Sequence, residues 1–155
     1  MTNHIDLREF ITTGQFFGLG PTSSRDDVIA RLGQPDDTGI VTKRKPRGTI
    51  FVYGGIELHF NDADRLALIH FDYPSLPPTS SPSLSVSPWV LTDESPLADV
   101  LAACADCGIE LQHVSDDPSR VYRAASGVSL SFYDPHDPDR TGLAAVSLGF
   151  SDGDR

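Results

Sequence analysis

The chain is poor in lysine, cysteine and long apolar runs, and each shortage removes a class of explanation. Lysine occurs only at Lys43 and Lys45. Arginine, alanine and aspartate are plentiful, a bias that suggests a GC-rich genome and says nothing about mechanism. Two cysteines, Cys104 and Cys107, stand three apart, too few for a disulfide framework. No apolar run approaches the roughly 20 residues that span a bilayer. The opening Met1-Thr2-Asn3-His4-Ile5-Asp6-Leu7-Arg8-Glu9 lacks the basic n-region and apolar h-region of a secretory signal. A cytoplasmic address is therefore expected. Gly-rich phosphate loops, Gly-x-Ser-x-Gly elbows and kinase signatures are also missing, which argues against the familiar enzyme classes, and no cofactor is expected.

What is abundant is negative charge. Asp and Glu number 22 against 12 Lys and Arg, for a net charge of −10. Such a protein repels free nucleic acid and anionic membrane surfaces. Its natural complement is a basic protein partner, although acidity also serves solubility alone. At 155 residues, 39% of them hydrophobic, the chain suits one ordinary domain or two very small ones. A unit of roughly 60–70 residues is marginal alone, so two such units should pack together or share a sheet.

The punctuation favours two units. Residues 73–88 carry five prolines among serines, an extended linker with few backbone donors. The expected organisation is an N-terminal helical segment 1–17, a first unit 18–72, the linker 73–88, a second unit 89–150 and a tail 151–155. In the N-terminal segment Asp6 can cap a short helix bearing Leu7, Phe10 and Ile11 and ending at Gly14, placed to cover a sheet edge. In the first unit Ser23 or Ser24 can cap a helix, with Asp26 or Asp27 completing a capping box. Val28, Ile29 and Leu32 form its apolar stripe, and Gly33 and Pro35 stop it. Strands follow at Thr49–Tyr53, Ile56–Phe60 and Leu66–Tyr73, with turns at Gly54-Gly55 and Asn61-Asp62-Ala63-Asp64.

A shift of 72 residues repeats much of this pattern. Ser23, Asp27, Val28 and Ala30 meet Ser95, Asp99, Val100 and Ala102; Gly55, Leu58, Phe60 and Asp62 meet Gly127, Leu130, Phe132 and Asp134. One offset holding across helix and strand is the mark of an internal duplication. The last strands, Leu66–Phe71 and Leu143–Leu148, align only after an insertion around Pro135-His136-Asp137-Pro138-Asp139. The expected fold class is α+β: two tandem helix-plus-antiparallel-sheet repeats.

The stretch from Gly18 to Pro35 has a glycine, a capped acidic helix start, an apolar stripe and then Leu32-Gly33-Gln34-Pro35. It resembles the opening of the SmpA/OmlA and β-lactamase-inhibitor-protein (BLIP) group. The resemblance is strong over these 18 residues and faint in the second unit, where Cys104 to Gly108 replace Leu-Gly-x-Pro. It implies a helix laid on a small antiparallel sheet. In the tandem member of the group, helices cover one sheet face while the other, concave face grips a target enzyme. With no signal or lipid-bearing cysteine like that of the envelope lipoproteins in these residues, neither outer-membrane assembly nor contact with an exported β-lactamase is expected.

Alternation in 56–60 sends Glu57 and His59 to the face opposite Ile56, Leu58 and Phe60. Ser129 and Ser131 occupy the matching positions. With His70 and Asp72 they would build a polar sheet surface framed by Tyr53, Tyr73 and Trp89, aromatic anchors of the kind that carry interface energy. The same residues also suit an ordinary solvated sheet face. Glu57, His59, His70 and Asp72 lack helical zinc spacing, so no metal is expected there. Cys104-Ala-Asp-Cys107 has redox spacing but sits at a helix C-terminus, where the dipole disfavours a thiolate. Both cysteines are expected as small buried residues. Asp134–Asp139 has carboxylates without the glycine and glutamate of a calcium loop.

The expected function is an intracellular inhibitor or immunity-type protein occluding a basic toxin or enzyme. A structural or chaperone-like subunit of a larger assembly, or an unrecognised enzyme or small-ligand binder using the polar face, remain open alternatives.

Overall fold

The structure, a computed structural model, describes residues 3–39, 50–72, 84–92, 95–116, 119–133 and 142–150. The chain runs β1 (Asn3–Asp6), α1 (Leu7–Thr13), α2 (Arg25–Leu32), β2 (Asp37–Gly39), β3 (Ile50–Tyr53), β4 (Ile56–Phe60) and β5 (Leu66–Asp72). It continues with β6 (Leu84–Ser87), α3 (Leu97–Asp106), β7 (Leu111–Ser115), β8 (Arg120–Ala124), β9 (Ser129–Phe132) and β10 (Leu143–Gly149). The class is α+β. Eight strands form one antiparallel sheet in the order β2-β3-β4-β5-β10-β9-β8-β7. The sheet is thus continuous across the chain's two halves, which join where β5 pairs with β10.

Local signals explain most elements. Asp6 accepts from the N–H groups of Arg8 and Glu9 to start α1, and Gly14, at φ 70°, closes it in the left-handed conformation that glycine tolerates best. For α2 the structure selects Ser24 and Asp27: each side chain accepts from the other's backbone N–H, completing the capping box. The Ser24 backbone N–H, and after it the Ser24 hydroxyl, hydrogen-bond to the Asp27 carboxylate and hold it below the usual aspartate range. Ser23 caps nothing. Its hydroxyl accepts from Gly20 N–H at 2.9 Å, a turn before the helix. Ser95 accepts from Thr92 N–H at 2.9 Å in the same way, and α3 starts at Pro96 with no side-chain cap. Gly33 ends α2 at positive φ but with extended ψ, so the chain leaves for β2 instead of curling into a left-handed cap.

One face of the sheet is the core. Phe51, Tyr53, Ile56, Leu58, Phe60, Ile69, Phe71, Val146, Leu130 and Phe132 are all nearly inaccessible, in one cluster with Val28 and Leu32 of α2 and Val100 and Cys104 of α3. Each large apolar side chain so buried contributes on the order of 1.5–3 kcal/mol, far more than any surface pair in the molecule.

The N-terminal segment departs from expectation. α1 lies over the middle of the sheet and covers no edge: the Phe10 ring packs at a tilt against Phe71 of β5 at 5.3 Å, and the Ser126 hydroxyl, from the β8–β9 loop, donates to Ile11 O at 2.6 Å. It therefore touches both halves across the β5–β10 join. Residues 3–6 are also a strand, not helix, and pair in parallel with 84–87 at the end of the proline-serine stretch. Leu84-Ser85-Val86-Ser87 alternates, and Leu84 and Ile5 bury into the core while the His4 ring meets the Ser85 and Ser87 hydroxyls at 2.7 and 2.8 Å. The remainder of the stretch, 73–83, lies outside the described residues.

Corresponding registers recur in the two halves. Phe60 faces Leu66 while His59 faces Leu68, so Ala67 is an extra residue; Phe132 faces Leu143 while Ser131 faces Ala145, so Ala144 is extra. At the join, Ile69 faces Leu148, His70 faces Ser147 and Phe71 faces Val146.

Candidate functional site

Residues directly opposite in an antiparallel ladder share a face. The helices occupy the core face, so the other face can be read from the register. Asp37, Val52, Glu57, His70, Ser147, Ser129, Arg123 and Gln112 form one row across all eight strands. Beside it run Ile50, His59, Leu68 and Gly149 on one flank, and the register positions of Asp72, Ala145, Ser131, Val121 and Ser115 on the other. The result is a largely polar band, interrupted by Val52, with Ile50, Leu68 and Val121 as apolar residues on its flanks.

Of the expected site residues, Glu57, His59, His70, Ser129 and Ser131 come together on this face, each partly accessible. His59 Nε2 meets Glu57 Oε1 at 2.9 Å, with side chains 26% and 33% exposed. A pair so open to solvent contributes at most about 1 kcal/mol, so its effect is to orient the two groups. Within the second half, Arg123 Nε on β8 donates to Ser129 Oγ on β9 at 3.3 Å. Asp72 holds the register position opposite Ala145. Tyr73 lies outside the described residues, as does Asp134–Asp139.

Two aromatic anchors are misplaced by sequence reasoning. Tyr53 points into the core, 1% exposed, its hydroxyl donating to Gly33 O at 2.8 Å. Register decides this: Tyr53 faces Ile56, a core residue. Trp89 sits in the turn after β6 at φ 57°, packed against the core instead of framing the open face. Sequence reasoning in turn missed Arg123, Ser147 and the apolar residues on the flanks. The signal was present as alternation in Val121-Tyr122-Arg123 and Ala145-Val146-Ser147, but only the β5–β10 pairing sets Ser147 opposite His70 and brings Arg123 into the same row.

Among the described residues no three His, Cys, Asp or Glu side chains are placed to hold a metal ion. Cavities formed by described residues beside α1, at the β8–β9 loop and beside α3 take in neither His59 nor His70. The cysteines differ from expectation: Cys104 is buried but Cys107, at the C-cap of α3, is exposed. Burial, helped by the neighbouring Cys107, pushes the Cys104 thiol up to about 11. Treatment of the native chain with a maleimide at pH 7.5 should therefore modify Cys107 rapidly, and Cys104 at least ~100-fold more slowly because only the thiolate of an accessible sulfur reacts. Peptide mapping by mass spectrometry distinguishes the two. Equal labelling would contradict the burial of Cys104.

No protein family, no curated protein and no solved structure matches the chain. No helix among the described residues is long and apolar enough to cross a membrane.

Proposed function

We propose that this chain is a protein-binding module of the inhibitor or immunity type, whose open sheet face occludes a basic partner. The carrying observation is the face itself: a largely polar row crossing eight strands, flanked by partly accessible aliphatic residues, with the described helices on the other side. Mixed polar and apolar composition of this kind suits a protein interface better than a small-molecule site, which needs concavity. The net charge of −10 favours encounter with a basic surface and makes it salt-sensitive.

We further read the two halves as tandem copies of one BLIP-like unit. Three features support this: the 72-residue offset, the identical turns at Ser23 and Ser95, and the matching extra residues Ala67 and Ala144. Under that equivalence His70 and Ser147 are counterparts facing each other, and a local two-fold axis passes between them at the centre of the open face.

The test is capture from the native cytosol at low and high salt, with wild type, a Glu57→Lys/Ser129→Lys open-face variant and an Asp26→Lys control on α2. The expected partner is one stoichiometric basic protein, released by salt, whose recovery falls at least tenfold with the open-face variant only. Equal recovery by all three proteins would place binding elsewhere.

A further inference from the structure

At the end of the sheet where the two halves meet, α1, the loop before α2, the β4–β5 turn and the β8–β9 loop surround a cavity of about 810 Å³. That volume lies in the range of small-ligand sites, roughly 300–1,000 Å³. Its back wall is backbone. A Cβ on Gly14, which holds φ +70°, would stand 3.0 Å from Ser126 O, so α1 and the β8–β9 loop approach as closely as they do only through glycine.

Most polar groups of the wall are already spent. Gly14 N–H donates to Phe10 O, Gly127 N–H to Ala124 O and Phe150 N–H to Ala67 O, at 2.7–2.9 Å. The Ser126 and Thr13 hydroxyls donate to Ile11 O and Glu9 O. What keeps spare donors is the Arg65 guanidinium, which among the described residues donates to the carbonyl of its neighbour Asp64 at 3.2 Å and also acts electrostatically on the Asp27 carboxylate outside the lining, together with the Gln15 amide and the Thr22 hydroxyl. No carboxylate is among the described lining residues, and Leu148 and Phe150 supply an apolar floor.

We propose that this cavity binds a small monocarboxylate with an apolar body, the acid on Arg65 and the body on Leu148 and Phe150. A cation with spare donors calls for an anion, and a guanidinium matches a carboxylate in two parallel hydrogen bonds. The net charge of −10 opposes anions of higher charge, such as nucleotides. The site is separate from the open sheet face, and each stands or falls alone.

Titration of the full ¹⁵N-labelled chain with octanoate tests the proposal. Saturable amide shifts are expected at Gly14, Gln15, Thr22, Gly127 and Gly149, without shifts at His59 and His70. 1-Octanol, equal in length but uncharged, should bind at least tenfold more weakly. Arg65→Gln, on an exposed turn, should keep the wild-type spectrum elsewhere and lose about tenfold in octanoate affinity while leaving octanol unchanged. Thr22→Val gives a second, smaller loss that does not depend on Arg65. The proposal is overturned by any of three results: no saturable shifts, shifts scattered outside the cavity, or octanoate binding unaltered in both variants.

Discussion

Replacement of Phe71 by alanine is expected to cost about 3–5 kcal/mol, the range for emptying an aromatic site in a packed core. Phe71 is fully buried on β5 at the join of the two halves, facing Ile56 on one side and Val146 on the other. Above it lie Phe10 at 5.3 Å and Phe16 at 6.3 Å. The cavity left would open under α1, and a helix of seven residues is too short to hold itself. The loss should therefore exceed that of a peripheral core residue and should reach a large fraction of a typical domain's stability, about 5–15 kcal/mol. Val114→Ala, at an exposed position of the edge strand β7, is the control and should fall within about 0.5 kcal/mol. Urea unfolding followed by circular dichroism measures both. A Phe71→Ala cost under about 1.5 kcal/mol would mean that α1 is not seated on the join as described.

The second large effect is alkaline. Burial, aided by the nearby Asp36 carboxylate, pushes the Tyr53 phenol up to about 12 from its usual value of 10.0. The unfolded chain then releases this proton above pH 10 while the folded chain retains it. A raised pKa of this sign gives stability that is complete below pH 10 and is lost as the pH climbs from about 10 towards 12, by about 2 kcal/mol in total. Tyr53→Phe has no such proton. At neutral pH it should be about 1 kcal/mol less stable, because Gly33 O loses its donor. Its disadvantage should vanish near pH 11 and reverse by pH 12. Stability curves at pH 8, 10, 11 and 12 decide the matter, and a constant difference between the two proteins would show that the phenol is exposed.

These effects show where sequence pattern suffices. The period-2 alternation of Ile56-Glu57-Leu58-His59-Phe60 assigns two faces without reference to anything distant, and β4 occupies those five residues with Ile56, Leu58 and Phe60 buried. Asp6, Ser24 and Gly14 are equally local, since a cap is satisfied by backbone groups within three or four residues. Tyr53 illustrates the opposite case. Its face depends on which residue of β4 it pairs with, and the hairpin turn decides that, so its aromatic character alone suggested a surface anchor. β1 and β6 were hidden for a related reason: a parallel pair joins segments some 80 residues apart, and neither four-residue run bears a helix or hairpin signal of its own.

The sequence by itself determined the α+β class, the start of α1 at Asp6, that of α2 to within one residue, the central strands and the polarity of the open face, because each follows from spacing within a few residues. Only the tertiary structure decided that the halves share one sheet, that α1 sits on their join, and that Arg123 and Ser147 stand in line with Glu57 and His70. Those facts rest on pairings between distant strands. The pairings are set by how the whole apolar face closes over its core, and no local periodicity records them.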